Sequence, residues 1–140
     1  MNVLLSIKPK YVEEIKKGNK KYEFRKSLFC KKNYGKINKI FIYSSSPVKK
    51  IVARFFLEVV LEEHPKILWE KCRHSSGIEE KDFFKYFGNR EKGIALEIAK
   101  LRFFKHPIDP EHVFPNFVPP QSFCYIEDIE SPRYISDYFY

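Results

Sequence analysis

The chain has 140 residues and a mass of 16.8 kDa, with 44% hydrophobic residues that include 14 Phe, 9 Tyr and 1 Trp. A chain of this length folds as one unit and buries about 68% of its unfolded surface, so a single domain over residues 1–140 is expected and disorder is excluded as the default state. The net charge of +8 is unevenly spread: residues 1–54 carry 13 Lys and 2 Arg against 3 Glu, a net of +12, and residues 55–140 carry 11 basic and 15 acidic residues, a net of −4.

A basic half of this kind suits phosphates, acidic partners or anionic surfaces, although lysine used only for solubility gives the same arithmetic. The apolar runs, such as those around Ile51 and Phe55, stop far short of the roughly 18 residues a membrane span needs, so no membrane association is expected. The opening MNVLLSIKPK lacks the pattern of a secretion signal, which predicts a cytoplasmic protein. Cys30, Cys72 and Cys124 are odd in number and form no C-x-x-C pair, and His64, His74, His106 and His112 show no metal-ligand spacing. Reduced thiols, no metal and no cofactor are therefore expected.

In chain order, Val3 to Ile7 reads as a strand, and K-P-K-Y-V-E-E-I-K-K-G as a helix with Pro9 in its first turn and Gly18 as its left-handed cap. Lys20 to Lys26 alternates, which predicts a strand with Tyr22 and Phe24 on one face and Lys21, Glu23 and Arg25 on the other. Ile37 to Tyr43 is a third strand ending in Ser44-Ser45-Ser46-Pro47, and Val48 to Val60 a fourth. Two short helices are expected between Pro65 and Tyr86, where Trp69 reads as a core anchor. A turn at Gly88-Asn89-Arg90 leads into a strand over Gly93 to Phe104. The Pro-rich stretch from residue 105 to 140 should wrap and close the fold, with a last strand near Phe123 to Ile126 and a docked tail containing Tyr134, Ile135, Tyr138 and Phe139. No internal repeat or Gly-rich phosphate loop is present. The sum is an α+β chain, a small mixed β-barrel of five or six strands with two or three short helices.

The segment G-N-K-K-Y-E-F-R carries the most chemistry. Gly18, Lys20, Glu23 and Arg25 match the G-x-K-x-x-E-x-R signature of the ASCH domain, a branch of the PUA-like superfamily. The L-L-S-I-K-P segment before it, I-Y-S-S-S-P after the next strand and P-P-Q-S-F near the end occur in the order of an ASCH chain, so the sequence resembles that family from residue 3 to about 126. The resemblance implies a PUA-like barrel with a cleft near the signature loop, binding RNA or a nucleotide-like ligand.

On the residues themselves, Lys20 should emerge at the barrel rim, and Arg25 could grip a phosphate or carboxylate through two parallel bonds. A solvated ion-pair strand is the plain alternative. Lys21 adds charge beside the signature. Ser44 and Ser45, on the serine loop, can donate to phosphate oxygens; Gln121 and Ser122 can read a base edge; Tyr125 can stack a base. The expected partner is single-stranded RNA or a nucleotide-like ligand, and a monomer is expected.

A small metal-independent hydrolase is the second reading, with Lys20 and Glu23 as its working pair. Some ASCH-like proteins are amidohydrolases of acylated cytidine with a lysine at the position of Lys20, a threonine at that of Glu23 and a downstream glutamate, for which Glu58 and Glu97 are candidates. Glu23 in place of threonine departs from that pattern. Other branches are ribonucleases, which a Lys/Glu/Arg cluster would suit.

Overall fold

The computed structural model describes residues 1–131; the tail aromatics Tyr134, Tyr138 and Phe139, with Ile135, lie outside the described residues. The six strand-like runs of the sequence are all present, but two of them break, giving eight strands in two sheets among the described residues. In order they are β1 (Asn2–Ile7), β2 (Tyr22–Arg25), β3 (Lys39–Ser44), β4 (Lys50–Phe56), β5 (Val60–Glu63), β6 (Gly93–Glu97), β7 (Ala99–Ile108) and β8 (Phe123–Ile126). The α-helices are α1 (Pro9–Lys17), α2 (Pro65–Cys72), α3 (Glu80–Phe87) and the single turn α4 (Pro110–Val113).

The larger sheet has the order β7-β4-β3-β1-β8, and the smaller one β2-β6-β5. The expected strand over residues 48–60 splits because the chain leaves the large sheet after β4 and enters the small one at β5; the strand over 93–104 splits where β6 crosses back to β7. At these corners Glu97 N–H donates to Val59 and Leu57 N–H to Asn38, and Lys100 adopts a left-handed φ of 53°. The two sheets wrap a common core, but no hydrogen-bonded ladder closes the barrel among the described residues.

Strand β1 pairs in parallel with β3, Val3 opposite Ile40, and antiparallel with β8, Val3 opposite Tyr125. Its two faces are both covered. Val3, Leu5 and Ile7 join Ile40, Ile42, Phe55 and the α1 residues Val12 and Ile15, while Leu4 joins Phe41, Tyr43, Ile51, Phe104 and Ile129. Burial on both sides explains why these strands read as continuous apolar runs rather than alternating ones. A third cluster places Phe24 and Ala95 against Leu68, Phe83 and Phe87 of α2 and α3, with Phe24 edge-on to Phe83 at 5.0 Å between ring centroids. Strand β2 therefore lies between two helices on one side and the barrel interior on the other.

The C-terminal segment is held from below by charge. Glu130 meets Arg54 at 2.8 Å and Lys39 at 3.2 Å, and Asp128 meets Lys39 at 2.9 Å. Among the described residues no helix is long and apolar enough to cross a membrane.

Candidate functional site

Helix α1 sets up the site through the way it ends. Gly18 takes a left-handed φ of 85°, and the N–H groups of Asn19 and Lys20 both reach the Glu14 carbonyl, at 3.0 and 3.1 Å. The chain is thereby turned back so that Lys20 forms an isolated bridge with Ser76, and Lys21 N–H donates to the Ser75 carbonyl at 2.8 Å. The strand proper starts only at Tyr22, so the period-two alternation does not extend back to Lys20.

This break puts Lys20 and Glu23 together. Lys20 Nζ lies 3.6 Å from Glu23 Oε1 and donates to the Ser76 carbonyl at 3.1 Å, with the Phe24 ring centroid 4.7 Å away. Lys20 does not project from the rim as the alternation predicts: it is 3% exposed and forms the floor. Glu23 is 6% exposed, so the face of β2 opposite Phe24 is interior rather than a solvated ion-pair face. Burial holds the Lys20 ammonium below the usual lysine range, against the opposing pull of Glu23.

Arg25 completes the group. Its Nη2 donates to Glu23 Oε2 at 2.9 Å and to the Ser6 carbonyl at 2.5 Å, and its Nη1 donates to Ser122 Oγ at 3.3 Å. Ser6 Oγ in turn donates to the Pro120 carbonyl at 2.7 Å, and Ser6 N–H to the Ser122 carbonyl at 2.9 Å. One guanidinium thus ties the signature strand to the end of β1 and to the P-P-Q-S segment. Ser45 N–H donates to the Ile7 carbonyl at 3.0 Å, which brings the serine loop to the same place. The four separated segments of the sequence converge.

They surround a cleft of about 780 Å³. Its lining holds seven cations, Lys8, Lys10, Lys20, Arg25, Lys26, Lys49 and Lys85, against two carboxylates, Glu23 and Asp82. Tyr11, Phe24, Ile78 and Tyr86 supply apolar wall, and Tyr43, Ser45, Ser46 and Gln121 supply further polar groups. The ammonium groups of Lys8, Lys49 and Lys85 have no ion-pair or hydrogen-bond partner among the described residues. Burial raises the Tyr43 and Tyr86 hydroxyls above their ordinary values, so both stay protonated and can donate. Cys72, near enough to Lys20 to feel its charge, is pushed by burial up to about 11 and is no nucleophile at neutral pH.

Of the residues singled out from the sequence, Lys20, Glu23, Arg25, Ser45 and Gln121 line the cleft, and Ser122 reaches it through Arg25. Three do not line it. Ser44 is buried in the β1–β3–β4 ladder opposite Ile7 and Lys50, Lys21 points out to solvent, and Tyr125 lies farther along β8, its hydroxyl accepting from Asn33 at 3.1 Å. Glu58 pairs with Lys100 at 2.9 Å on the surface and Glu97 stands opposite Tyr22, so neither reaches the cleft. Sequence reasoning missed Asp82, Lys85 and Tyr86. Their i, i+3, i+4 spacing on α3, opposite the buried Phe83 and Phe87, was the available signal.

No protein-family model matches the chain. It is 25% identical over 139 residues to a protein of Zymomonas mobilis named ASCH domain-containing ribonuclease, covering 95% of this chain and 89% of that one. The crystal structure of ASCH from Zymomonas mobilis superposes with a TM-score of 0.80 at 25% identity, covering 98% of this chain and 95% of that one. A variant of the same protein, with tyrosine changed to phenylalanine, gives 0.83 at 23% identity over 98% of both chains. A 74-residue stretch is 31% identical to large ribosomal subunit protein uL22 of Ureaplasma parvum, but it spans only 24% of that protein.

Proposed function

We propose that the cleft binds single-stranded RNA by taking in one unstacked nucleotide, a reading supported by the chain's likeness, over nearly its whole length, to an ASCH domain-containing ribonuclease and to the ASCH fold. The observation that carries this reading is the charge layout: a wall of Tyr11, Phe24 and Tyr86 above a floor of Lys20, Glu23 and Arg25, rimmed by the unpaired Lys8, Lys49 and Lys85. Apolar and aromatic wall suits the face of a base, and free rim lysines suit the flanking phosphates. The volume lies in the range of small-ligand sites, about 300–1,000 Å³.

The floor and rim have different tasks. Glu23 already engages both Lys20 and Arg25, so the floor is held in place before any ligand arrives and offers fixed polar edges rather than a mobile arm. The rim lysines are solvated and exchange counterions for phosphates, which makes binding dependent on salt. Fluorescence anisotropy with labelled triuridylate at 50 and 200 mM salt tests the reading. Binding that weakens with salt and weakens further in Lys49→Ala is expected; salt-independent binding, or none, contradicts it.

A second reading, cleavage of the RNA by internal transesterification to a 2′,3′-cyclic phosphate and a 5′-hydroxyl, is favoured by the name of the Zymomonas relative and by the acid and hydroxyl groups in the cleft. In such a reaction the 2′-oxygen attacks the adjacent phosphorus, the bond to the 5′-oxygen breaks, and Arg25 or a rim lysine stabilises the charge on the phosphoryl oxygens. Asp82 is the carboxylate able to accept the 2′-proton, and the protonated Tyr43 can supply one to the leaving oxygen. The acylated-nucleoside reading is weaker, since Glu58 and Glu97 stand away from the cleft and Glu23 is committed to two cations. Gel analysis of the RNA recovered from the titration separates binding from cleavage.

A further inference from the structure

Strand β8 begins where the cleft ends. Pro120 and Gln121 line the cleft, Ser122 bonds Arg25, and the chain then pairs with β1 from Leu5–Phe123 back to Asn2–Ile126. Tyr125 stands opposite Val3, three residues along β1 from Ser6, or roughly 10 Å from the Arg25 contact at the usual rise of a strand. Tyr125 is 45% exposed, and its ring is fixed from two sides: edge-on to Phe123, 5.8 Å between centroids, and through its hydroxyl to Asn33.

Asn33 belongs to the 3-10 turn Lys31–Lys36, which the segment after β2 carries away from the cleft residue Lys26. In this turn Lys31 is paired with Glu62 at 2.8 Å, whereas Lys32 and Lys36 are exposed and their ammonium groups have no partner among the described residues. An exposed aromatic bonded to the turn that carries two free cations, on the strand that leads out of a cleft rimmed by lysines, is the pattern of a platform for single-stranded nucleic acid.

Resting on the RNA reading of the cleft, we propose a second RNA subsite on the edge of β8: a strand leaving the cleft past Ser122 stacks a base on Tyr125 and sets its phosphates against Lys32 and Lys36. The subsite lengthens the footprint. Base stacking is sequence-tolerant, so it adds affinity for longer strands without adding base preference.

The test is fluorescence anisotropy with labelled tri- and deca-uridylate on the full chain, with the recovered RNA checked for integrity on a gel. Decauridylate is expected to bind wild type more tightly than triuridylate. Tyr125→Ala should weaken decauridylate binding about tenfold and leave triuridylate unchanged, Tyr125→Phe should bind like wild type because it keeps the ring, and Lys32→Ala with Lys36→Ala should flatten the salt dependence for the longer strand only. Equal affinity of wild type for the two lengths, or a loss in Tyr125→Ala that is the same for both, overturns the subsite while leaving the cleft intact. Failure of wild type to bind either length overturns both.

Discussion

Gly77 lies flat against Lys20: a Cβ placed on Gly77 would stand 2.3 Å from the Lys20 Cβ and 3.0 Å from its Cα. Gly77 also has a left-handed φ of 63°. The S-S-G break between α2 and α3 is therefore the back wall of the signature lysine. Ser76 accepts the lysine's hydrogen bond through its carbonyl and fixes its own hydroxyl on the Ile78 carbonyl at 3.0 Å.

Replacing that glycine should disturb both fold and site. Gly77→Ala meets a strained backbone and a backbone-side clash that no flexible side-chain end can relieve, and it should cost at least about 2 kcal/mol in urea unfolding. RNA affinity should fall as well, because Lys20 must move. A Gly77→Ala protein as stable as wild type would show that the close approach is not rigid.

Among the described residues Glu23 is the only counter-charge to the two cations of the cleft floor, Asp82 having no such contact there. Glu23→Gln leaves Lys20 and Arg25 facing each other in a largely dry site, where breaking a buried pair costs about 3–5 kcal/mol. Adding Lys20→Met should recover part of the loss, giving a coupling energy in a double-mutant cycle. Additive losses would mean that the Lys20–Glu23 contact carries no weight.

The Lys20 pKa is depressed in the fold, chiefly by burial. Between the folded value and the ordinary lysine value, the unfolded chain binds the extra proton, so this group makes stability rise with pH through that window. Below the folded value the cost of burying the charge is present in full. The stability difference between wild type and Lys20→Met, followed by urea unfolding from pH 7 to 10, should therefore shift in favour of wild type as pH rises. A flat difference would mean that the ammonium is as well solvated as a surface lysine.

The rim lysines should act one at a time. Lys8→Ala, Lys49→Ala and Lys85→Ala are each expected to leave stability unchanged and to reduce the slope of log affinity against log salt by about 0.7 for single-stranded RNA. A loss of affinity with the slope unchanged would assign the lysine to a packing role instead.

Much of this was legible in the sequence because it is written in local patterns. Gly18 after K-K marks the end of α1, the run V-L-L-S-I marks a doubly covered strand, and the ordered segments around Lys20, Ser45 and Gln121 mark the cleft. What was hidden depends on the tertiary path. The alternation in K-K-Y-E-F-R suggests that Lys20 and Glu23 point apart, and only the bridge from Lys20 to Ser76 reveals why they meet. The breaks at Leu57–Val59 and Ile98 are barrel corners, set by the chain's change of sheet rather than by any Gly or Pro. Asp82 and Tyr86 reach the site from α3, which the sequence separates from the signature by more than fifty residues.

The most direct test of the central claim is photo-crosslinking of triuridylate carrying one 4-thiouridine, followed by mass spectrometry of the attached peptides. Crosslinks at Tyr11, Phe24 or Tyr86, lost in the presence of excess unlabelled triuridylate, are the predicted result. Crosslinks confined to surfaces away from these residues, with the cleft peptides unmodified, would contradict it.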